Sequence, residues 1–150
     1  MSPKFSLQNV LDLRHGKVEL LEIELGKLLS THQETQSLFT SLQEYQASLL
    51  DQLSVTQSGE IDLVKMNLLR LNIIQVGKHI EMVLLELKKQ IRAIEVKRNE
   101  VIKARQSEET LETLKRNRHE VYRAEQVQIE TQAQDDIYIA RAFRNQQQGA

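Results

Sequence analysis

The chain has 150 residues, a formal net charge of −1, 40% apolar side chains and only 4% aromatic ones, with one proline, five glycines, no tryptophan and no cysteine. That length suits a single domain, but so little aromatic bulk describes long solvated helices rather than a thick core. The absence of cysteine excludes disulfides, thiol chemistry and Cys-based zinc sites, and the near-zero net charge provides no global field toward nucleic acid or a lipid surface.

The chain opens Met1-Ser2-Pro3-Lys4-Phe5, without the apolar core of a signal segment. Ser2 or Ser6 can cap a first helix, and Pro3 is tolerated at or before its first turn. From there one apolar stripe runs in alternating steps of four and three. It comprises Leu7, Leu11, Arg14, Val18, Leu21, Leu25, Leu28, His32, Thr35, Phe39, Leu42, Gln46, Leu49 and Leu53, of which ten of fourteen are apolar. A mean period of 3.5 residues keeps one narrow seam toward a partner helix, which is the pattern of a coiled coil. Helix one is therefore expected over about residues 5–56.

Thr56-Gln57-Ser58-Gly59-Glu60-Ile61-Asp62 is the strongest break. Gly59 can take the left-handed conformation, and Ser58 or Asp62 can cap the second helix. The turn is expected at about 57–61 and helix two at about 62–146. Gly16, Gly26 and Gly77 sit inside clean heptads and are expected to be carried within helices, each at a cost of about 1 kcal/mol.

Helix two opens with a second seam of Met66, Leu69, Ile73, Val76, Ile80, Val83 and Leu87. Continued with the same steps, it passes through Gln90, Lys97, Glu108, Lys115, Arg118 and Glu125 and becomes half polar. Good helix formers keep this part helical, but tight pairing weakens. A short turn between long helices makes antiparallel neighbours. Centred near Ser58-Gly59, it sets Leu49 near Leu68, Leu42 near Gln75, Leu28 near Lys89 and Leu7 near Thr110. The fold class is thus all-α, a long two-helix antiparallel coiled-coil hairpin with a C-terminal helical overhang, residues 1–150 forming a single domain. At 1.5 Å per residue the helices span about 75 Å and about 125 Å.

The charge is unevenly spread. Residues 88–123 carry eleven Lys or Arg against six Glu, whereas residues 1–75 carry six basic and nine acidic side chains. Interleaved glutamates make the basic stretch a solvated face first and a meeting surface for an acidic protein second. No run approaches 18 apolar residues, so no transmembrane helix and no direct membrane insertion is expected, and the cytoplasm is the expected compartment. His15, His32, His79 and His119 are not spaced to meet one another, and no metal site is expected; His32 reads as a polar seam residue that fixes register. There is no phosphate-cradling glycine loop, Gly-x-Ser-x-Gly or His-Glu-x-x-His, so catalytic residues and cofactors are expected to be absent and the chain is read as a non-enzyme.

Two apolar surpluses lie off the main stripe. Tyr45 forms a row with Leu38 and Leu42, and Leu68, Leu71 and Ile74 supply a counterpart on helix two. They either thicken the packing, serve a dimer interface or form an exposed strip for another protein. At the open end Phe5, Leu7, Val10, Leu11 and Leu13 crowd into three turns.

The opening Phe5-Ser6-Leu7-Gln8-Asn9-Val10-Leu11-Asp12-Leu13-Arg14 resembles that of bacterial flagellar FliJ proteins, which begin F-x-L-x-x-V-L-x-x-R. The run from Leu114-Lys115 through Arg118, Tyr122, Arg123 and Glu125 to Asp135-Asp136, Ile139-Ala140 and Phe143 is similar to that family's C-terminal block, except that Asp136 stands where the family often has Glu. Family members are similar in shape to the rotor stalk of rotary ATPases. The resemblance implies a cytoplasmic component of the flagellar type III export apparatus, peripheral at the inner membrane through that apparatus. It implies three partners: the hexameric export ATPase, whose assembly and activity the stalk promotes, the cytoplasmic linker of the export gate membrane protein, and escort chaperones of late substrates. Carried onto this sequence, Phe5, Leu7, Val10, Leu11, Arg14, Arg118 and Tyr122 become candidates for the ATPase-binding end. Leu38, Leu42, Tyr45, Ile73 and Val76 become candidates for the gate contact. The rival readings are a generic scaffold coiled coil, an injectisome stalk protein, or a homodimeric four-helix bundle.

Overall fold

A computed structural model describes residues 4–149. They form two α-helices and, among the described residues, no strand: α1, Gln8–Gln57, and α2, Leu63–Gln148. The helices pack antiparallel, and their contacts divide the chain into two compact units. Among the described residues, one holds 4–18 with 104–149, and the other holds Glu19–Lys103.

Seam spacing decides what is covered. Every one of the fourteen seam positions from Leu7, just before α1, to Leu53 is buried or half-buried. On α2 the same is true of each seam position from Met66 to Leu111, and Leu111 is the last buried residue. Beyond it Tyr122 and Gln126 are half-buried, and residues 127–149 are exposed. Gly16, Gly26 and Gly77 lie inside the helices as expected.

The turn differs from expectation in its chemistry. Among the described residues no glycine has a positive φ, so Gly59 does not end α1 by a left-handed step. Instead Ser58 closes the last turn on itself: its backbone N–H and its Oγ both donate to the Val55 carbonyl, at 3.2 and 2.9 Å. Asp62 caps α2, its Oδ1 accepting from the Val64 and Lys65 amides at 3.1 and 3.2 Å. This satisfies two of the four N–H groups that a helix start leaves unpaired. At the N-terminus α1 begins at Gln8 rather than near residue 5, and the Ser6 Oγ accepts a hydrogen bond from Arg118 (3.0 Å) rather than from a backbone amide of the first turn. The expectations placed on Ser2 and Pro3 lie outside the described residues.

The pairing register is also about five residues displaced from the expected one. His32 and Thr35 both bond to Gln90, Glu24 pairs with Lys97, and Gly77 lies against Gln46. Leu49 is therefore level with Ile73 instead of Leu68, and Leu28 with Ile94 instead of Lys89. The link runs on to the cap at Asp62, so its midpoint falls at Glu60. The energetic reason is that the expected register set leucines against Gln75, Lys89 and Thr110, whereas the observed one sets seam against seam.

Candidate functional site

In the unit that holds the N-terminal segment, residues 6–15 of the chain run along residues 107–118 of α2. The Arg118 guanidinium lies over the Phe5 ring, 5.5 Å from its centroid, while donating to Ser6. Such a cation–π contact contributes roughly 0.5–1 kcal/mol at an exposed site. Arg14 donates from its guanidinium to the Ser107 carbonyl at 2.8 Å, and His15 Nδ1 lies 2.5 Å from Glu108 Oε1. These bonds tie a helix start that has no side-chain cap of its own to the basic part of α2.

Of the residues expected at this end, the structure brings Phe5, Arg14 and Arg118 to the pairing face of the two segments and puts Leu11 into the core, 6% exposed. Leu7 and Tyr122 are half-buried. Val10 alone of the seven apolar and basic candidates is an apolar side chain open to solvent. Leu13, absent from that set, is 75% exposed and is the larger apolar surface here. Its signal was its place one residue before Arg14, outside the seam.

In the Glu19–Lys103 unit the second set divides in the same way. Leu42, Ile73 and Val76 are half-buried seam residues, whereas Leu38 and Tyr45, each one residue ahead of a seam position, are exposed on one flank of α1. Leu68, Leu71 and Ile74 are exposed as well, so these side chains do not thicken the packing between α1 and α2. Met82 and Leu85 continue that exposed surface of α2 and lie outside the expected set. The legible signal was a second three-four spacing on the face opposite the seam.

In the same unit the seam holds a polar layer. Gln90, 9% exposed, accepts from His32 Nδ1 at 3.0 Å and donates from Nε2 to Thr35 Oγ1 at 2.9 Å. Two turns further, Lys97 occupies a seam position and reaches out to Glu24 (2.9 Å) and Glu100 (3.0 Å). The hydrogen bond to Glu24, then that to Glu100, raises the Lys97 pKa above the ordinary lysine value of about 10.5.

Two depressions open on solvent. One is lined by Gln106, Glu109, Thr110 and Thr113, about 400 Å³, and the other by Leu29, His32, Ile91, Ile94, Glu95 and Arg98, about 440 Å³. Neither pairs a nucleophile with a base. Among the described residues no group of three or more His, Cys, Asp or Glu could hold a metal ion, and no helix is long and apolar enough to cross a membrane.

The sequence matches the family described as Flagellar FliJ protein over residues 3–148. No curated protein and no solved structure matches it. The chain belongs to the flagellar FliJ family, and with it to the non-catalytic components of the flagellar type III protein export apparatus.

Proposed function

We propose that this chain, acting as a single domain, is the stalk that enters the hexameric export ATPase, promotes its assembly and activity, and links it to the cytoplasmic part of the export gate. One observation carries the reading. The segment 5–14 that matches the family's opening is the segment bound to the basic stretch of α2, through Phe5, Ser6 and Arg14. The N-terminal motif and the C-terminal block thus form one surface, with Val10 and Leu13 exposed upon it. Apolar side chains flanked by basic ones suit a ring lumen of mixed apolar and acidic lining. Leu38 and Tyr45, exposed in the other unit, serve the gate contact, with Leu42, Ile73 and Val76 holding the helices beneath them. Escort chaperones of late substrates are the third partner, and the working place is the cytoplasmic face of the inner membrane, reached through the apparatus.

One variant series tests both contacts. Added to the purified ATPase hexamer, the wild-type chain raises the hydrolysis rate. Val10→Asp with Leu13→Asp shifts half-maximal stimulation roughly tenfold or more to higher concentration, as loss of an interface anchor does. Tyr45→Ala stimulates normally but is retained less by the immobilised cytoplasmic part of the gate protein. Leu11→Asp is unsuitable as the primary variant, because a buried carboxylate at that position unpacks the seam. A wild-type chain that leaves the hexamer's rate unchanged removes the stalk reading.

A further inference from the structure

The outward face of α2 in the Glu19–Lys103 unit carries a second heptad stripe. Val64, Leu68 and Leu71, then Met82 and Leu85, follow the three-four alternation of the seam on the opposite side of the helix, with Gln75 and Lys78 at the two positions between. All five are more than half exposed, from 55% at Leu71 to 71% at Val64. Over residues 34–44 the corresponding face of α1 is polar, with Glu34, Ser37, Ser41 and Glu44 exposed at the matching positions, whereas Leu20, Ile23 and Val55 are exposed apolar side chains at matching positions further along α1. A 3.5-residue repeat specifies a helix as its cover.

The ends of the stripe say which helix. Glu60 and Asp62 bound it on one side, and Lys88, Lys89 and Arg92 on the other, all exposed. We infer that this stripe pairs with the same stripe of a second copy of the chain, antiparallel, about a two-fold axis near residues 76 and 77. That arrangement sets acidic end against basic end twice and aligns the two helix dipoles favourably. Leu68 then faces Leu85 of the partner subunit, Leu71 faces the partner's Met82, Gln75 faces the partner's Lys78, and Val64 packs on the apolar stem of the partner's Lys89. A parallel pair would instead bring Lys78 against its own copy and like charges together at both ends. This self-association is independent of the stalk reading and of the Val10 and Leu13 surface.

The cysteine-free sequence makes the test direct. Sedimentation equilibrium of the full chain from about 1 to about 300 μM should show the mass rising from 17.4 kDa toward twice that value. Leu68→Glu with Leu71→Glu should stay at the monomer mass with unchanged far-UV circular dichroism. Leu71→Cys combined with Met82→Cys, which face each other between the two copies, should cross-link on mild oxidation, and Ser37→Cys, on α1, should not. A wild-type chain that remains monomeric throughout, as expected if another protein covers the stripe, overturns the inference. So does a dimer that survives the double glutamate substitution, or cross-linking of Ser37→Cys equal to that of the facing cysteines at 71 and 82.

Discussion

Polar residues placed in an apolar seam show how this chain trades burial for specificity. Gln90 and Lys97 solve the same problem differently. Gln90 stays in the interface and fills both ends of its amide with His32 and Thr35, so no group is left unpaired. Among the described residues no buried side-chain nitrogen or oxygen lacks a partner. Lys97 lays its stem along the seam and carries its ammonium out to two carboxylates. Because those bonds raise its pKa in the folded chain, the folded state holds the proton more tightly than the unfolded state does. Their contribution is therefore complete at neutral pH and is lost as pH rises through and beyond about 10.5. Lys97→Met should lower Tm slightly at pH near 7, with the difference from wild type shrinking above pH of about 11. A difference that persists undiminished at high pH would assign the effect to packing of the lysine stem instead.

Helices this long are built from local preference plus a repeated seam, and their weak points are where preference fails. Gly16 and Gly26 sit on exposed helical surface, and a Cβ at either would meet nothing within 4 Å. Alanine at each should add about 1 kcal/mol by restricting the unfolded chain and favouring the helix, measured by urea unfolding of single variants. Loss of stability in either would mean that its exposed face is covered in solution. The seam itself was fully legible, since a period of 3.5 residues is a property of sequence alone, and all fourteen positions from Leu7 to Leu53 are covered. The register was less so. Gly59 reads as the midpoint of the turn, but Asp62 is the residue whose side chain bonds the next helix, and its choice moves every cross-helix pair. Matching Leu49 to Ile73, seam to seam, would have found it. The candidate surfaces were legible by region rather than by residue. Spacing alone separates Tyr45 from Leu42, but does not reveal that Phe5 and Ser6 share Arg118, a contact between residues far apart in sequence.

Burial along α2 ends long before the helix does, and this grades stability along the chain. Val83, Leu87, Ile94, Val101, Ala104 and Leu111 are buried, whereas every residue from 127 to 149 is exposed. A helical segment without a packed face is held by propensity alone, and an isolated one of this length is marginal in water, opening at a cost of roughly 1 kcal/mol or less. The exposed segment nevertheless falls within the family match, which ends at residue 148. Ile129, Ile137, Tyr138, Ile139 and Phe143 give it apolar surface with no cover among the described residues. In hydrogen exchange, amides of residues 128–148 should therefore lose protection first, and those of residues 83–111 last. Removal of residues 128–150 should shift Tm of the remainder by less than about 2 °C, because no buried contact goes with them. Addition of a protein that binds this segment should slow its exchange while leaving residues 83–111 unchanged. A truncation that lowers Tm by more than about 5 °C would show that the segment packs in solution, and protection uniform along α2 would count against the grading.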